Sequence, residues 1–128
     1  MNHKYPSEEQ EQSLIVQWFR IVYARQHHLD PRLLFHVPNG GQRSKSEAGR
    51  FRSAGVTRGV PDLFLAVPRR GHAGLWIELK SLSRSARLSG DQAEMIELLR
   101  ASGYAAEVAY GHEDAQSVIE SYLYEEQK

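Results

Sequence analysis

Apolar residues recur at Leu14, Ile15, Trp18, Phe19 and Val22, a spacing of period 3.6 that predicts a helix over about residues 8–27 with one buried stripe. Ser7 stands where an N-cap belongs, and acids follow in the first turn, where the helix dipole favours them. The short apolar run Leu33–Val37 ends at Pro38-Asn39-Gly40-Gly41 and reads as a strand entering a loop. About residues 44–54 form a basic, polar helix with Gly55 as its stop signal. Leu63–Val67 and Leu75–Leu79 are apolar runs joined by Pro68–Gly74, the length and composition of a hairpin connection. Ser89 and Gln92 have the spacing of a capping box and open a helix that Gly103 closes. Tyr104–Tyr110 predicts a strand, and about residues 113–125 a last amphipathic helix. The order α-β-α-β-β-α-β-α predicts a small α/β domain, a central mixed sheet flanked by helices.

At 128 residues the chain has the size of one domain, taken as residues 1–128 with a core over about 8–120. No cysteine is present, which excludes disulfides, thiolate metal sites and a cysteine nucleophile. No apolar stretch approaches the ~20 residues that span a bilayer, and the polar N-terminus lacks the apolar core of a signal peptide. A soluble, cytoplasmic protein with no membrane partner is therefore expected.

Charge changes the picture through its distribution. The whole chain is neutral, yet residues 43–87 hold ten basic side chains and only Glu47, Asp62 and Glu78 as acids, a local net charge of +7. Such segregation suits a phosphate-binding face, since local potential steers a polyanion. Arg43, Lys45, Arg50, Arg52 and Arg58 are the candidate phosphate contacts of a nucleic acid, with Arg69 and Arg70 at the hairpin tip.

The acids within that basic segment are the candidate chemistry. Asp62 follows Pro61 at the head of one predicted strand; Glu78 and Lys80 stand two apart on the next, so their side chains share a face. If the two strands pair as a hairpin, the three converge. Carboxylate oxygens hold a hard cation such as Mg²⁺, which uses one or two of them and keeps several waters. A lysine beside them can position water or offset charge on a phosphodiester. Taken singly, Pro-Asp is a common turn and Glu-x-Lys a common surface ion pair; together, in order and inside a +7 segment, they point to a nuclease site.

Pro61-Asp62 followed by Glu78-Leu79-Lys80 resembles the PD-(D/E)xK nuclease signature. The longer string is more specific: Pro38-Asn39-Gly40-Gly41-x-Arg43, Gly55-Val56-x-x-Gly59-Val60-Pro61-Asp62-Leu63-Phe64, Leu75-Trp76-Ile77-Glu78-Leu79-Lys80, Leu88-Ser89-x-x-Gln92 and Gly103-Tyr104. With the N-terminal Glu8-x-x-x-Gln12 it resembles the VRR-NUC (virus-type replication-repair nuclease) family, in particular small stand-alone members from phages and prophages. The resemblance spans about residues 8–120. It implies a restriction-endonuclease-like fold and DNA cleavage dependent on Mg²⁺ or Mn²⁺. It further implies branched substrates, Holliday-type junction resolution by a homodimer, no organic cofactor, and the cytoplasm of a bacterial or phage-infected cell. Asp62 and Glu78 match the metal-binding carboxylates, the backbone carbonyl of Leu79 a third metal oxygen, and Lys80 the catalytic lysine. Glu8 matches the helix-borne acid that acts through a metal-bound water, with Glu9 and Glu11 as rivals. On a helical wheel Glu8 lines up with Gln12, Ile15 and Phe19 toward the packed face, with Glu11 a little round the barrel. Gln92 matches a glutamine that supports the lysine or a phosphate.

Other readings are a monomeric flap or nicking nuclease and a non-catalytic module that binds branched DNA. The segment Ser81–Leu88 is long for the family. The six histidines match no zinc spacing, His36 reads as a half-buried core residue, and Asn39-Gly40-Gly41 lacks the Gly-Lys-Ser/Thr of a P-loop. Trp18 and Trp76 read as core.

Overall fold

In the computed structural model, which describes residues 5–38, 45–83 and 85–125, the elements follow the predicted order. The N-terminal helix α1 (Glu8–Gln17) opens on a full capping box between Ser7 and Gln10. It runs on as a π-helical stretch, Trp18–Tyr23, and ends in the short α2 (Ala24–Gln26). The wider π turn advances the buried line in steps of four, through Ile15, Phe19 and Tyr23. Val22, expected on the stripe, is therefore turned out, as is Leu14, each 41% exposed. Strand β1 (Leu34–His36) follows a 3₁₀ turn, and Arg20 reaches its Leu34 carbonyl from the helix at 3.1 Å.

Helix α3 (Lys45–Ser53) ends at Gly55, whose φ of +102° marks the left-handed stop. Arg43 and the Asn39-Gly40-Gly41 loop lie outside the described residues. So does Arg84, and the side chain of Lys45 is likewise not described. Strands β2 (Leu63–Leu65) and β3 (Leu75–Lys80) pair antiparallel with Leu63 opposite Ile77. Arg70 and Gly71, at φ +50° and +81°, form the tight hairpin turn between the reciprocal Arg69–His72 hydrogen bonds. Helix α4 (Gly90–Ala101) starts on the Ser89–Gln92 capping box; β4 (Ala105–Tyr110) and α5 (His112–Leu123) complete the chain. Residues 81–83 and 85–88 lie outside any strand, β3 ending at Lys80.

The sheet order is β1-β2-β3-β4, antiparallel across the first three strands and parallel between β3 and β4. Its core face carries Leu34, Leu63, Leu65, Leu75, Ile77 and Leu79, all buried, against Ile15 and Phe19 of the N-terminal helix and Ile119 of α5. Each such side chain contributes about 1.5–3 kcal/mol by leaving water. Tyr122 pins α5 to the hairpin by donating its hydroxyl to the Val67 carbonyl at 2.7 Å. Alternation puts Phe64, Trp76, Glu78 and Lys80 on the opposite face, where Phe35, Phe64, Trp76 and Tyr104 stack as an aromatic cluster. Among the described residues no helix is long and apolar enough to cross a membrane.

Candidate active site

Pairing of β2 with β3 decides where the acids go. Asp62 stands one residue before β2, so the Leu63–Ile77 register extends to place it opposite Glu78. Pro61, fully buried, anchors the turn into the strand. Gly59 has φ +84°, and a Cβ there would lie 2.6 Å from the Asp91 carbonyl carbon and 3.0 Å from the Gln92 nitrogen. Only glycine lets this loop press against the start of α4, which brings Gln92 to Asp62 and Glu78.

The polar contacts then close around Glu78, which is 2% exposed. Its Oε1 accepts from Nε2 of Gln92 at 3.1 Å and lies 3.8 Å from Nζ of Lys80, itself 8% exposed. Gln92 keeps its capping role as well, because its Oε1 accepts from the Ser89 N–H at 2.9 Å. It therefore supports the glutamate, where the sequence comparison gave it the lysine or a phosphate. Asp62 is half-buried and accepts from the Leu79 N–H through Oδ2 at 2.9 Å. In an extended strand the N–H and C=O of one residue point to the same side, so the Leu79 carbonyl also faces the edge where Asp62 stands.

The second oxygen of Glu78 is buried without a hydrogen-bond donor. Burial, then the charge of Asp62 and a hydrogen bond with its side chain, push the Glu78 carboxyl up to about 8; Glu8 adds to the rise and Lys80 opposes it. A carboxyl raised from its usual 4.5 stabilises the fold fully below that value and loses its contribution as pH climbs through about 8. Without metal, the protein is expected to lose up to about 4 kcal/mol between pH 5 and 8.5. Urea unfolding in EDTA checks this; Glu78→Gln should flatten the slope, and an unchanged slope in that variant would place the titration elsewhere.

The chemistry of these groups suits a hard divalent cation. Their ligating atoms are all oxygen, and the buried Glu78 oxygen lacks a donor. Among the described residues no three His, Asp or Glu side chains gather closely enough to hold a metal by themselves. Two carboxylates with waters and a backbone oxygen are what Mg²⁺ accepts. The residues present fit the ion.

The N-terminal acids separate by position. Glu11, expected a little round the barrel, continues the line of Ile15 and Phe19 and is fully buried. Its carboxylate meets His112, Oε2 taking the backbone N–H at 3.0 Å and Oε1 the ring Nδ1 at 2.8 Å. Glu8 is exposed at the rim, near enough for its charge to act on Glu78, and Glu9 is exposed. The four-residue spacing Glu11-Ile15-Phe19 was the signal for the buried acid. His36 is exposed, not half-buried, and its Nδ1–H donates to the Asp62 carbonyl at 2.9 Å.

The basic residues divide between two ends of the sheet. Arg50, Arg52 and Arg58 are exposed on the segment that leads directly into Pro61-Asp62. Arg69 and Arg70 lie at the hairpin, at the other end of β3 from Lys80, roughly 17 Å along the strand. There Arg70 donates to the Tyr124 carbonyl at 2.8 Å, and Arg69 Nε lies 3.2 Å from Glu125. The expected pairing of the hairpin tip with the other basic residues on one face is not what the sheet produces, because an antiparallel hairpin puts its turn opposite its open end. Cavities of about 370 and 400 Å³ beside α5 also lie at that far end.

A family model described as the VRR-NUC domain matches residues 7–113. A solved structure titled "VRR_NUC domain protein" is similar with 31% identity and a TM-score of 0.78, covering 94% of this chain and 91% of that one. No curated protein matches the chain. A family match over most of the sequence, on a fold shared with a solved structure of that name, means that the chain belongs to the VRR-NUC family, nucleases of the PD-(D/E)xK type.

Proposed function

We propose that this protein is a divalent-metal-dependent DNA endonuclease that cuts branched DNA and resolves four-way junctions as a homodimer, with residues 8–120 acting as one nuclease domain. The observation that supports it most is the buried Glu78 carboxylate, opposite Asp62 in the strand register, with one oxygen lacking a donor and the other beside Lys80 and Gln92. Asp62, Glu78 and the Leu79 carbonyl would hold Mg²⁺ or Mn²⁺, with Glu8 at the rim reaching it through water. When bound, the ion lowers the pKa of its water and offsets charge building on the phosphodiester.

The chain's own groups do the rest. Gln92 fixes the Glu78 carboxylate by donating from its Nε2 to Oε1 of the glutamate, which leaves the other oxygen without a donor. The Leu79 N–H holds the Asp62 side chain against β3. Lys80, nearly buried, presents a preorganised positive charge to the developing phosphorane. Phosphate contacts fall to Arg50, Arg52 and Arg58, with Arg43 and Lys45 on the same stretch of sequence. Arg69 and Arg70, bonded to the C-terminal segment at the far end, serve that segment instead. Side chains that contact phosphate carry no base information, so recognition by DNA shape follows.

A stacked four-way junction has two-fold symmetry, and a two-fold dimer sets two sites against its symmetry-related strands. Cleavage in Mg²⁺ of a four-way junction, a flap, a splayed arm and plain duplex is expected to favour the junction, with paired incisions. Affinity should fall steeply with salt. Sedimentation as a monomer at micromolar concentration together with equal cutting of all four substrates would overturn the junction and dimer reading.

A further inference from the structure

Helix α5 lacks an N-cap of its own: its N-cap residue is Gly111, which offers no side chain. The missing acceptor comes from 101 residues away, where Glu11 of α1 takes the His112 N–H at 3.0 Å and the ring Nδ1 at 2.8 Å. The carboxylate is completely buried, and both its oxygens are committed. Gly111 makes the space, because at φ +86° a Cβ would stand 2.7 Å from Glu11 Oε2. The Gly111 N–H in turn donates to the Lys80 carbonyl at 2.8 Å, so the cap sits at the end of β3 where Glu78 and Lys80 lie. Glu8 is three residues before Glu11, the neighbouring position one turn toward the helix start.

We propose that Glu11 is a positioning residue of the site: by capping α5 from α1 it clamps the first turn of α1 over the end of β3 and sets Glu8 beside Glu78. The proposal rests on the reading of Glu78 as a metal carboxylate. It also assigns the three N-terminal acids different work, since Glu11, with both oxygens used, has none left for an ion.

Two measurements on the full chain test it. The first is Mn²⁺ binding by calorimetry to wild type, Glu8→Ala, Glu11→Ala, the double variant and Glu11→Gln. Glu8→Ala and Glu11→Ala should each weaken binding about tenfold, the usual size for an outer group. The double variant should be no weaker than either single one, because Glu11 acts through Glu8. Glu11→Gln should stay within about threefold, as an amide can accept from the His112 N–H and donate to the ring nitrogen. A hundredfold loss in the double variant, or wild-type binding by Glu11→Ala, overturns the proposal. The second measurement is amide exchange in EDTA, where Glu11→Ala should lose protection at Gln10–Leu14 and Glu8→Ala should not; equal protection in both overturns the clamp. If wild type shows no Mn²⁺ binding that Glu78→Ala removes, the metal reading fails and the exchange result alone judges the clamp. Should Glu11→Ala not fold, His112→Ala keeps the backbone bond and drops the ring contact; it should weaken Mn²⁺ binding about threefold, and no loss counts against the clamp.

Discussion

Replacing Glu78 with alanine is expected to lower cleavage at saturating Mg²⁺ by about a thousandfold or more, the rate equivalent of several kcal/mol of charge stabilisation at the transition state. Gln92, Lys80 and Asp62 all act on this carboxylate, which is buried with one oxygen lacking a donor. Asp62→Ala should fall as far, while DNA binding persists in both, since the exposed arginines are untouched. Glu78→Gln separates chemistry from packing: it keeps the volume and relieves the repulsion with Asp62, so its metal-free form should be at least as stable as wild type at pH 8. Single-turnover cleavage of a branched substrate is the measurement. Activity within tenfold of wild type in either alanine variant would move the active site elsewhere.

Lys80→Ala should cost roughly two orders of magnitude in rate, the size of one preorganised charge lost near the phosphorane. Its ammonium is nearly buried and only 3.8 Å from Glu78, so it cannot be replaced by bulk cation. Lys80→Arg should rescue little, because the guanidinium is larger and planar and the site is closed. Mn²⁺ binding should survive in both variants, and calorimetry showing its loss would make the lysine part of the metal site's architecture and not a group that acts on the reaction.

Much of this was legible along the chain because it depends on neighbours. Apolar runs and turn residues placed the strands that carry Glu78 and follow Asp62 and the helix that carries Gln92, and Ser7 and Ser89 cap their helices as spacing alone requires. Alternation on β3 put Glu78 and Lys80 on one face without any knowledge of what lies opposite.

What lay beyond reach needed residues far apart to meet. The phase of the first helix was misread at Leu14 and Val22; Val22 lies in the π turn of Trp18–Tyr23, where the buried line runs on to Tyr23. The helical wheel put Glu8 toward the packed face, yet the buried line is Glu11-Ile15-Phe19, and a histidine at position 112, a hundred residues on, takes Glu11 out of solvent. The basic segment looked continuous along the chain, yet the hairpin carried Arg69 and Arg70 to the opposite end of the sheet from Asp62. The sequence by itself determined the elements, the caps and the chemical types at the site, all of which follow from local periodicity and side-chain chemistry. Only the tertiary structure decided which acid stays exposed near Glu78 and which is consumed as a cap, because hydrogen bonding of a buried carboxylate depends on partners that the fold, not the order of residues, brings within 3 Å.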